Sequence, residues 1–247
     1  MNKMVVVSGP SCVGKRPLFN ALRRFYPDLA GRFKQLVLFN DRTPRPGEEE
    51  GVDYFFRSRG IIEALRDRDG YVVADVRGDL QALEIAQIQQ IMDTGRFPFL
   101  EGSPFVPGKL REFGLFERFP TLSVFLSPLS QEEILYLKDP ERGVDLNKFI
   151  TDVQRHKLLH RTQRQKGHIS LRELENIEKR CASALLEMRT AWQFDHVIPL
   201  YDGEEHENWD AFYYPIGSAR KALLAFAALL QDEVTADVEH WTADLIP

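Results

Sequence analysis

An α/β fold built on a parallel sheet is predicted for this chain of 247 residues, and three observations predict it. The β-branched run Met4–Ser8 is typical of a buried parallel strand. A glycine-containing loop follows it, and then Leu18–Phe25 has its apolar residues at helical spacing. Strands and helices alternate along the rest of the chain, which favours a three-layer arrangement with helices on both faces of the sheet.

The later elements follow from the same periodicities. Further strands are predicted at Lys34–Phe39, Tyr54–Phe56, Gly70–Val76, Phe97–Leu100, Thr121–Leu126 and His196–Leu200. Helices are predicted at Ile61–Arg66, Leu80–Met92, Leu146–Gln165, Ser170–Trp192 and Ser218–Leu230. Ser170 and Glu173 have the spacing of a capping box, which predicts that a helix begins there. The residues after about Gln231 are expected to form a tail.

Composition narrows the function classes. A net charge of −5 lacks the basic excess of a protein that grips a nucleic-acid backbone, so no nucleic-acid partner is expected. Two cysteines argue against a disulfide scaffold. No stretch approaches the ~20 apolar residues of a membrane span. The expectation is a soluble cytoplasmic protein that acts on a small anionic ligand, with no membrane partner.

The segment Gly9–Lys15 has the pattern G-x-x-x-x-G-K between a strand and a helix. Such a loop wraps a phosphate with inward-pointing backbone N–H groups, and the helix N-terminus and the lysine add positive charge. We name Gly9–Lys15 the phosphate loop. The predicted ATP-binding residues are Gly9, Pro10, Ser11, Cys12, Val13, Gly14, Lys15 and Arg16.

One position departs from the pattern. A Ser or Thr normally follows the lysine and holds Mg²⁺ through its hydroxyl, whereas this chain has Arg16. Arginine has no acceptor atom and cannot ligate a metal. The loop is therefore predicted to bind the phosphates of ATP. Mg²⁺ as a cofactor stays open, because its usual hydroxyl ligand is replaced by Arg16.

A second segment, Asp41–Tyr54, carries two arginines and is named the arginine loop. Arg42 and Arg45 lie three residues apart in a stretch stiffened by prolines, so they can converge on one phosphate. Tyr54 adds a hydroxyl and an aromatic face. The alternative is an ordinary solvated charged loop.

These two segments, GPSCVGK and RTPRPGEEEGVDYFF, resemble the guanylate kinase family. The resemblance is strongest from Met4 to Gly78 and implies a P-loop NTPase-type three-layer fold with an inserted nucleoside-monophosphate-binding subdomain and a helical lid. It places one domain at 1–231, with the subdomain at about 39–93, the lid at about 138–180 and a tail at 232–247.

The resemblance also implies roles for individual residues. The acceptor phosphate would be bound by residues of the arginine loop, the end of the strand Phe97–Leu100 and the lid: Arg42, Arg45, Tyr54, Glu101 and Arg161. The three arginines of the lid region, Arg161, Arg164 and Arg180, are also candidates for cradling the transferred phosphate. The residues implied as catalytic are Lys15, Arg42, Arg164 and Arg180, and no metal-ligating residue is assigned. Arg161 and Arg164 are placed only by region, and arginines on helix surfaces are usually just solvated.

Several positions depart from the family pattern. Leu38 stands where a serine contacts the acceptor phosphate, and Val72 where an acidic residue reads the guanine edge. The segment Gly78–Ala82 replaces a tyrosine-containing turn and is expected to start a helix. A buried carboxylate demands a matching polar base, so its loss weakens the discrimination of GMP from other acceptors.

Three functions remain open from the sequence. The first is phosphoryl transfer from ATP to GMP or another nucleoside monophosphate, and the second is transfer to a different phosphorylated acceptor. The third is a catalytically weak or inactive nucleotide-binding or protein-interaction module.

A metal at His156 and His160 is disfavoured, because Lys and Arg surround them. The acidic stretch at 202–207 is expected to be solvated. The aromatic residues of the loop 201–215 could contact a protein partner, but core packing is favoured for them. Oligomeric state is left open.

Overall fold

The computed structural model describes residues 2–45 and 47–246, and Met1, Pro46 and Pro247 lie outside the described residues. The strands are β1 Met4–Ser8, β2 Phe33–Gln35, β3 Leu38–Asn40, β4 Tyr54–Phe56, β5 Tyr71–Val76, β6 Asp79–Glu84, β7 Phe97–Gly102, β8 Thr121–Ser127 and β9 His196–Pro199. The helices are α1 Lys15–Phe25, α2 Pro27–Ala30, α3 Arg59–Glu63, α4 Ala86–Asp93, α5 Phe105–Glu112, α6 Leu115–Arg118, α7 Gln131–Lys138, α8 Leu146–Lys166, α9 Leu171–Met188 and α10 Gly217–Leu230.

The predicted α/β class with a parallel sheet is confirmed. Five strands form one parallel sheet in the order β2-β7-β1-β8-β9. By contact density the chain divides into two compact units. The first runs to Val6 and includes Arg32–Leu122, and the second comprises Val7–Gly31 and everything from Ser123 onward.

The first unit contains a separate four-stranded sheet in the order β4-β3-β6-β5. The predicted helix Leu80–Met92 is wrong over its first part, because residues 79–84 form β6, which pairs antiparallel with β5. Arg77 and Gly78 both have positive φ, as a two-residue hairpin turn requires. The apolar residues at 80 and 83 suggest a helix, but the hairpin pairing decides in favour of a strand. The helix α4 begins only at Ala86.

The predicted strand Lys34–Phe39 is two strands that belong to different sheets. β2 pairs with β7, whereas β3 pairs with β4 and β6. Between them, the side-chain amide of Gln87 accepts from the backbone N–H of Val37 and donates to its carbonyl. This exchange satisfies the backbone where the chain leaves one sheet for the other.

The second unit contains the long helices. The predicted capping box at Ser170 and Glu173 is confirmed at the start of α9. α8 begins after Asp145, whose side chain accepts from two backbone N–H groups. Leu158 of α8 packs with Ile177 and Cys181 of α9 and with Cys12 of the phosphate loop in one buried cluster.

Part of the chain after α10 packs against the rest of the second unit, whereas Val234 is fully exposed. Val197 and Glu239 form an antiparallel bridge, and Trp241, Leu245 and Ile246 are buried. The predicted domain, subdomain, lid and tail boundaries stay predictions. No helix among the described residues is long and apolar enough to cross a membrane.

Candidate functional site

The phosphate loop is shaped by glycines that cannot be replaced without a clash. A Cβ on Gly9, whose φ is 147°, would lie 2.4 Å from the backbone oxygen of Leu126. A Cβ on Gly14 would lie 3.0 Å from the backbone oxygen of Asp202. Gly14 is also the left-handed residue from which α1 begins. The loop thus delivers the chain directly into a helix N-terminus, whose N–H groups and dipole favour an anion.

The two cations at the end of the loop are arranged differently. Lys15 Nζ donates to the carbonyls of Gly9 at 2.9 Å and Pro10 at 2.8 Å, so the ammonium lies over the loop. Arg16 is exposed. Burial is the main cause that raises the pKa of the Cys12 thiol, to about 11, so at neutral pH this loop cysteine is a buried thiol and not a nucleophile.

α8 lies against the phosphate loop and contributes two contacts to it. Gln154 donates to the carbonyl of Ser11, and the Cys12 thiol donates to the carbonyl of Lys157 at 3.5 Å. The Lys157 ammonium donates to the carbonyl of Tyr201 at 2.8 Å. Burial lowers the pKa of Lys157 to about 8.

The predicted lid arginines on α8 contact the segment after β9. Arg161 forms a 2.7 Å ion pair with Glu204, and Arg164 donates to the carbonyl of Glu205 at 2.9 Å. The expectation that residues 202–207 are simply solvated is therefore wrong at two positions, because Asp202 is buried and Glu204 is ion-paired. No local signal in the sequence could reveal the pairing of Arg161 with Glu204, since 43 residues separate them.

In the first unit, the carboxylate of Glu48 joins the two arginines of the arginine loop, a role that was not predicted from the sequence. Glu48 accepts from both Nη atoms of Arg42, at 2.7 and 2.6 Å, and from the backbone N–H of Arg45 at 2.7 Å. Arg42 lies over the ring of Tyr54, with its Cζ 5.1 Å from the ring centroid. The presence of Glu48 in the same loop as two arginines is the sequence feature from which the Arg42–Glu48 ion pair could have been predicted.

These contacts change the ionisation of the loop. Burial works to raise the pKa of Glu48, but the hydrogen bonds from Arg42 and the Arg45 backbone lower it on balance. Burial works to lower the pKa of Arg42, and Glu48 raises it on balance. Burial raises the pKa of Tyr54, with Arg42 and Arg45 opposing. Arg42 and Tyr54 thus lie together, with Arg45 held beside them through its backbone, and the anion-binding role assigned to the three stays a prediction.

The other two predicted site residues lie apart in the chain. Glu101 is half-buried near the end of β7. Arg180 lies on α9, where its Nε donates to Asn176 of the same helix at 2.9 Å. The roles implied for both stay predictions.

Comparison with a protein-family model and with curated relatives identifies the family of this chain. The family model described as guanylate kinase matches residues 1–155. The guanylate kinase of Alkalilimnicola ehrlichii is 32% identical over 197 residues, which cover 79% of this chain and 79% of the relative. The chain belongs to the guanylate kinase family.

Other matches agree with this membership. The guanylate kinase of Halalkalibacterium halodurans is 33% identical over 133 residues, covering 53% of this chain and 61% of the relative's length. The crystal structure of guanylate kinase from Anaplasma phagocytophilum superposes with a TM-score of 0.54 at 18% identity, covering 95% of this chain and 88% of that chain. At this identity the structural match supports the fold alone.

Three residues of this guanylate kinase family member differ from the family pattern, and the structure shows the surroundings of each. Val72 on β5 and Leu38 on β3 are buried apolar side chains, so neither offers a polar atom to a ligand. Arg16 is exposed and has only donor atoms. Among the described residues, no group of three or more His, Cys, Asp or Glu is arranged to hold a metal ion. At position 16 the chain therefore offers Mg²⁺ no side-chain oxygen.

Proposed function

We propose that this chain is an ATP-dependent nucleoside monophosphate kinase that transfers a phosphoryl group from ATP to GMP. The observation that supports the proposal is that one guanylate kinase family member carries both the phosphate loop and the arginine loop. The phosphate loop, with Lys15 over it, would bind the phosphates of ATP. Arg42, Arg45 and Tyr54 would bind the phosphate of the acceptor.

The chemistry requires no covalent intermediate on the protein. Phosphoryl transfer needs the two phosphates held in line and positive charge around the group in flight. Lys15 and the arginines at 161, 164 and 180 would supply that charge, and Arg42 would orient the acceptor. The phosphate loop offers Mg²⁺ no hydroxyl at position 16, so a magnesium ion would enter on the ATP phosphates and not on a side chain at that position. ATP as donor, nucleotides as substrates and the cytoplasm as location are parts of the same proposal.

The test is a coupled assay of ADP release with GMP, dGMP, AMP, UMP and CMP as acceptors. Turnover with GMP on the order of 1–100 per second supports the proposal. No ADP release above ATP hydrolysis with any of the five, despite ATP binding by calorimetry, would overturn it. The alternative of an inactive module has no support in the comparisons, since the curated relatives named above are guanylate kinases.

A second acceptor is favoured by one specific observation. The positions held in the family by a base-reading acid and a phosphate-contacting serine are occupied by buried Val72 and Leu38. A site without those polar groups loses part of its ability to reject other acceptors. Comparable kcat/KM for GMP and AMP would point to relaxed base selection, and turnover confined to GMP would show that other residues read the base.

A further inference from the structure

The segment Gly203–Glu207, named the acidic loop, lies on the cationic face of α8. Glu204 pairs with Arg161 at 2.7 Å, Arg164 donates to the carbonyl of Glu205 at 2.9 Å, and Gln165 donates to the carboxylate of Glu205 at 3.0 Å. The positions 161, 164 and 165 lie on one side of the helix, one turn apart. One short acidic segment thus engages the same helix face that the proposed function assigns to the transferred phosphate.

The acidic loop also contacts the phosphate loop directly. The backbone N–H of Glu204 donates to the carbonyl of Cys12 at 3.2 Å. A Cβ on Gly203 would lie 2.6 Å from the same carbonyl oxygen, so glycine is needed for this approach. Glu204 is therefore held to the phosphate loop through its backbone and to α8 through its carboxylate.

The pairing leaves Arg161 incompletely satisfied. Its Nη1 reaches Glu204, but its Nε is buried and has no hydrogen-bond partner among the described residues. Burial works to lower the pKa of Arg161, and Glu204 is the main cause that raises it on balance. A buried donor without a partner is costly, and an anion with more oxygen atoms than one carboxylate, such as a triphosphate, could satisfy it.

The backbone of the loop carries strain as well. Glu205 has a φ of 64°, in the left-handed region that a residue with a Cβ rarely adopts. Such a conformation persists where the surroundings hold it, and here the contacts with α8 do so. A strained segment held by one ion pair and a few hydrogen bonds is suited to release when a competing anion arrives.

We propose that the acidic loop is an autoinhibitory strap, in which Glu204 occupies Arg161 and is displaced by the terminal phosphate of ATP. This rests on the proposed function, in that Arg161 is taken to bind the transferred phosphate. The strap would keep other anions from binding Arg161. Each time ATP binds, the ion pair between Arg161 and Glu204 would have to open.

The experiment measures the affinity of a non-hydrolysable ATP analogue, and of ADP, by calorimetry. Glu204→Gln removes the charge and keeps the shape, so the analogue should bind about threefold to tenfold more tightly, the range for opening a partly buried ion pair. ADP, which lacks the terminal phosphate, should gain less. Glu207→Gln is the matched control, because Glu207 is an exposed acid of the same loop, and it should change neither affinity.

A second variant approaches the strap by another route. Gly203→Ala keeps Glu204 but forces the loop away from the Cys12 carbonyl, and it should tighten the analogue in the same direction. Hydrogen exchange gives a readout without turnover: the amides of 203–207 should exchange faster in Glu204→Gln, and faster in the wild type once the analogue binds. Thermal unfolding of each variant confirms that it is folded.

The outcomes separate this proposal from the function on which it rests. Unchanged or weaker analogue binding in both variants, or greater protection of 203–207 on binding, overturns the strap while ATP binding by the wild type stands. Tighter binding without phosphoryl transfer supports the strap and overturns the kinase proposal. No binding by any variant overturns both.

Discussion

The two loops proposed to bind phosphate both contain glycine and basic residues, yet they are held in different ways. The phosphate loop is fixed by backbone geometry, because Gly9 and Gly14 leave no room for a Cβ. The arginine loop is fixed by side chains, because Glu48 ties Arg42 and the Arg45 backbone together. The first should therefore be sensitive to added volume, and the second to lost charge.

The largest effect is expected at the lysine of the phosphate loop. Lys15→Ala removes the full charge over the loop, and phosphoryl transfer should fall on the order of 10²–10³-fold in kcat, as when one preorganised donor to a transition state is lost. The coupled ADP-release assay measures it. Lys221→Ala, an exposed lysine on α10, is the control and should be silent. A loss below tenfold for Lys15→Ala would show that this loop does not hold the transferred phosphate.

Next in size is a substitution that tests the role of backbone geometry. Gly9→Ala introduces both an unfavourable φ and a clash 2.4 Å from a carbonyl, so the free energy of unfolding should fall by on the order of 3 kcal/mol. Gly51→Ala in the arginine loop has a φ of 75° but only a 3.5 Å neighbour, and should cost about 1 kcal/mol. Urea unfolding compares the two. Equal losses would contradict the contrast between the loops.

The charge dependence of the arginine loop is tested by Arg42→Lys. A lysine keeps the charge but cannot form the two-pronged contact, so KM for the acceptor should rise about tenfold, while KM for ATP should change little. Steady-state kinetics in both substrates separates the two. An increase confined to KM for ATP would show that Arg42 contacts ATP and not the acceptor.

The smallest effect is expected at Glu48, and it depends on pH. The pKa of Glu48 is lowered in the folded protein, so its ion pair stabilises the fold above the ordinary pKa of 4.5. That stabilisation is lost as the pH falls below 4.5 through the lowered value. Relative to Glu48→Gln, the wild type should be more stable by about 1 kcal/mol at pH 7 and lose this advantage in acid. Thermal unfolding of both proteins across this pH range measures the difference in stability. A stability difference that does not change with pH would speak against the ion pair.

Much of the site could be predicted because it is local in sequence. Gly9, Gly14 and Lys15 fall within seven consecutive residues, and Arg42, Arg45 and Tyr54 within thirteen, so spacing alone carries the chemistry. The capping box at Ser170 was equally readable, because its hydrogen bonds join residues three apart. The hairpin at Arg77 and Gly78 is not predictable in this way, because the apolar spacing after it is that of a helix and the turn is marked by a single glycine.

The α/β class, the phosphate loop, the arginines of the second loop and the family resemblance can all be predicted from the sequence, since each depends on neighbours along the chain. Only the tertiary structure decided that Glu48 closes the arginine loop and that Lys34–Phe39 divides between two sheets. It also decided that Glu204 reaches Arg161 across 43 residues. A pairing between distant charges depends on how the chain returns on itself, and no periodicity along the sequence records that path.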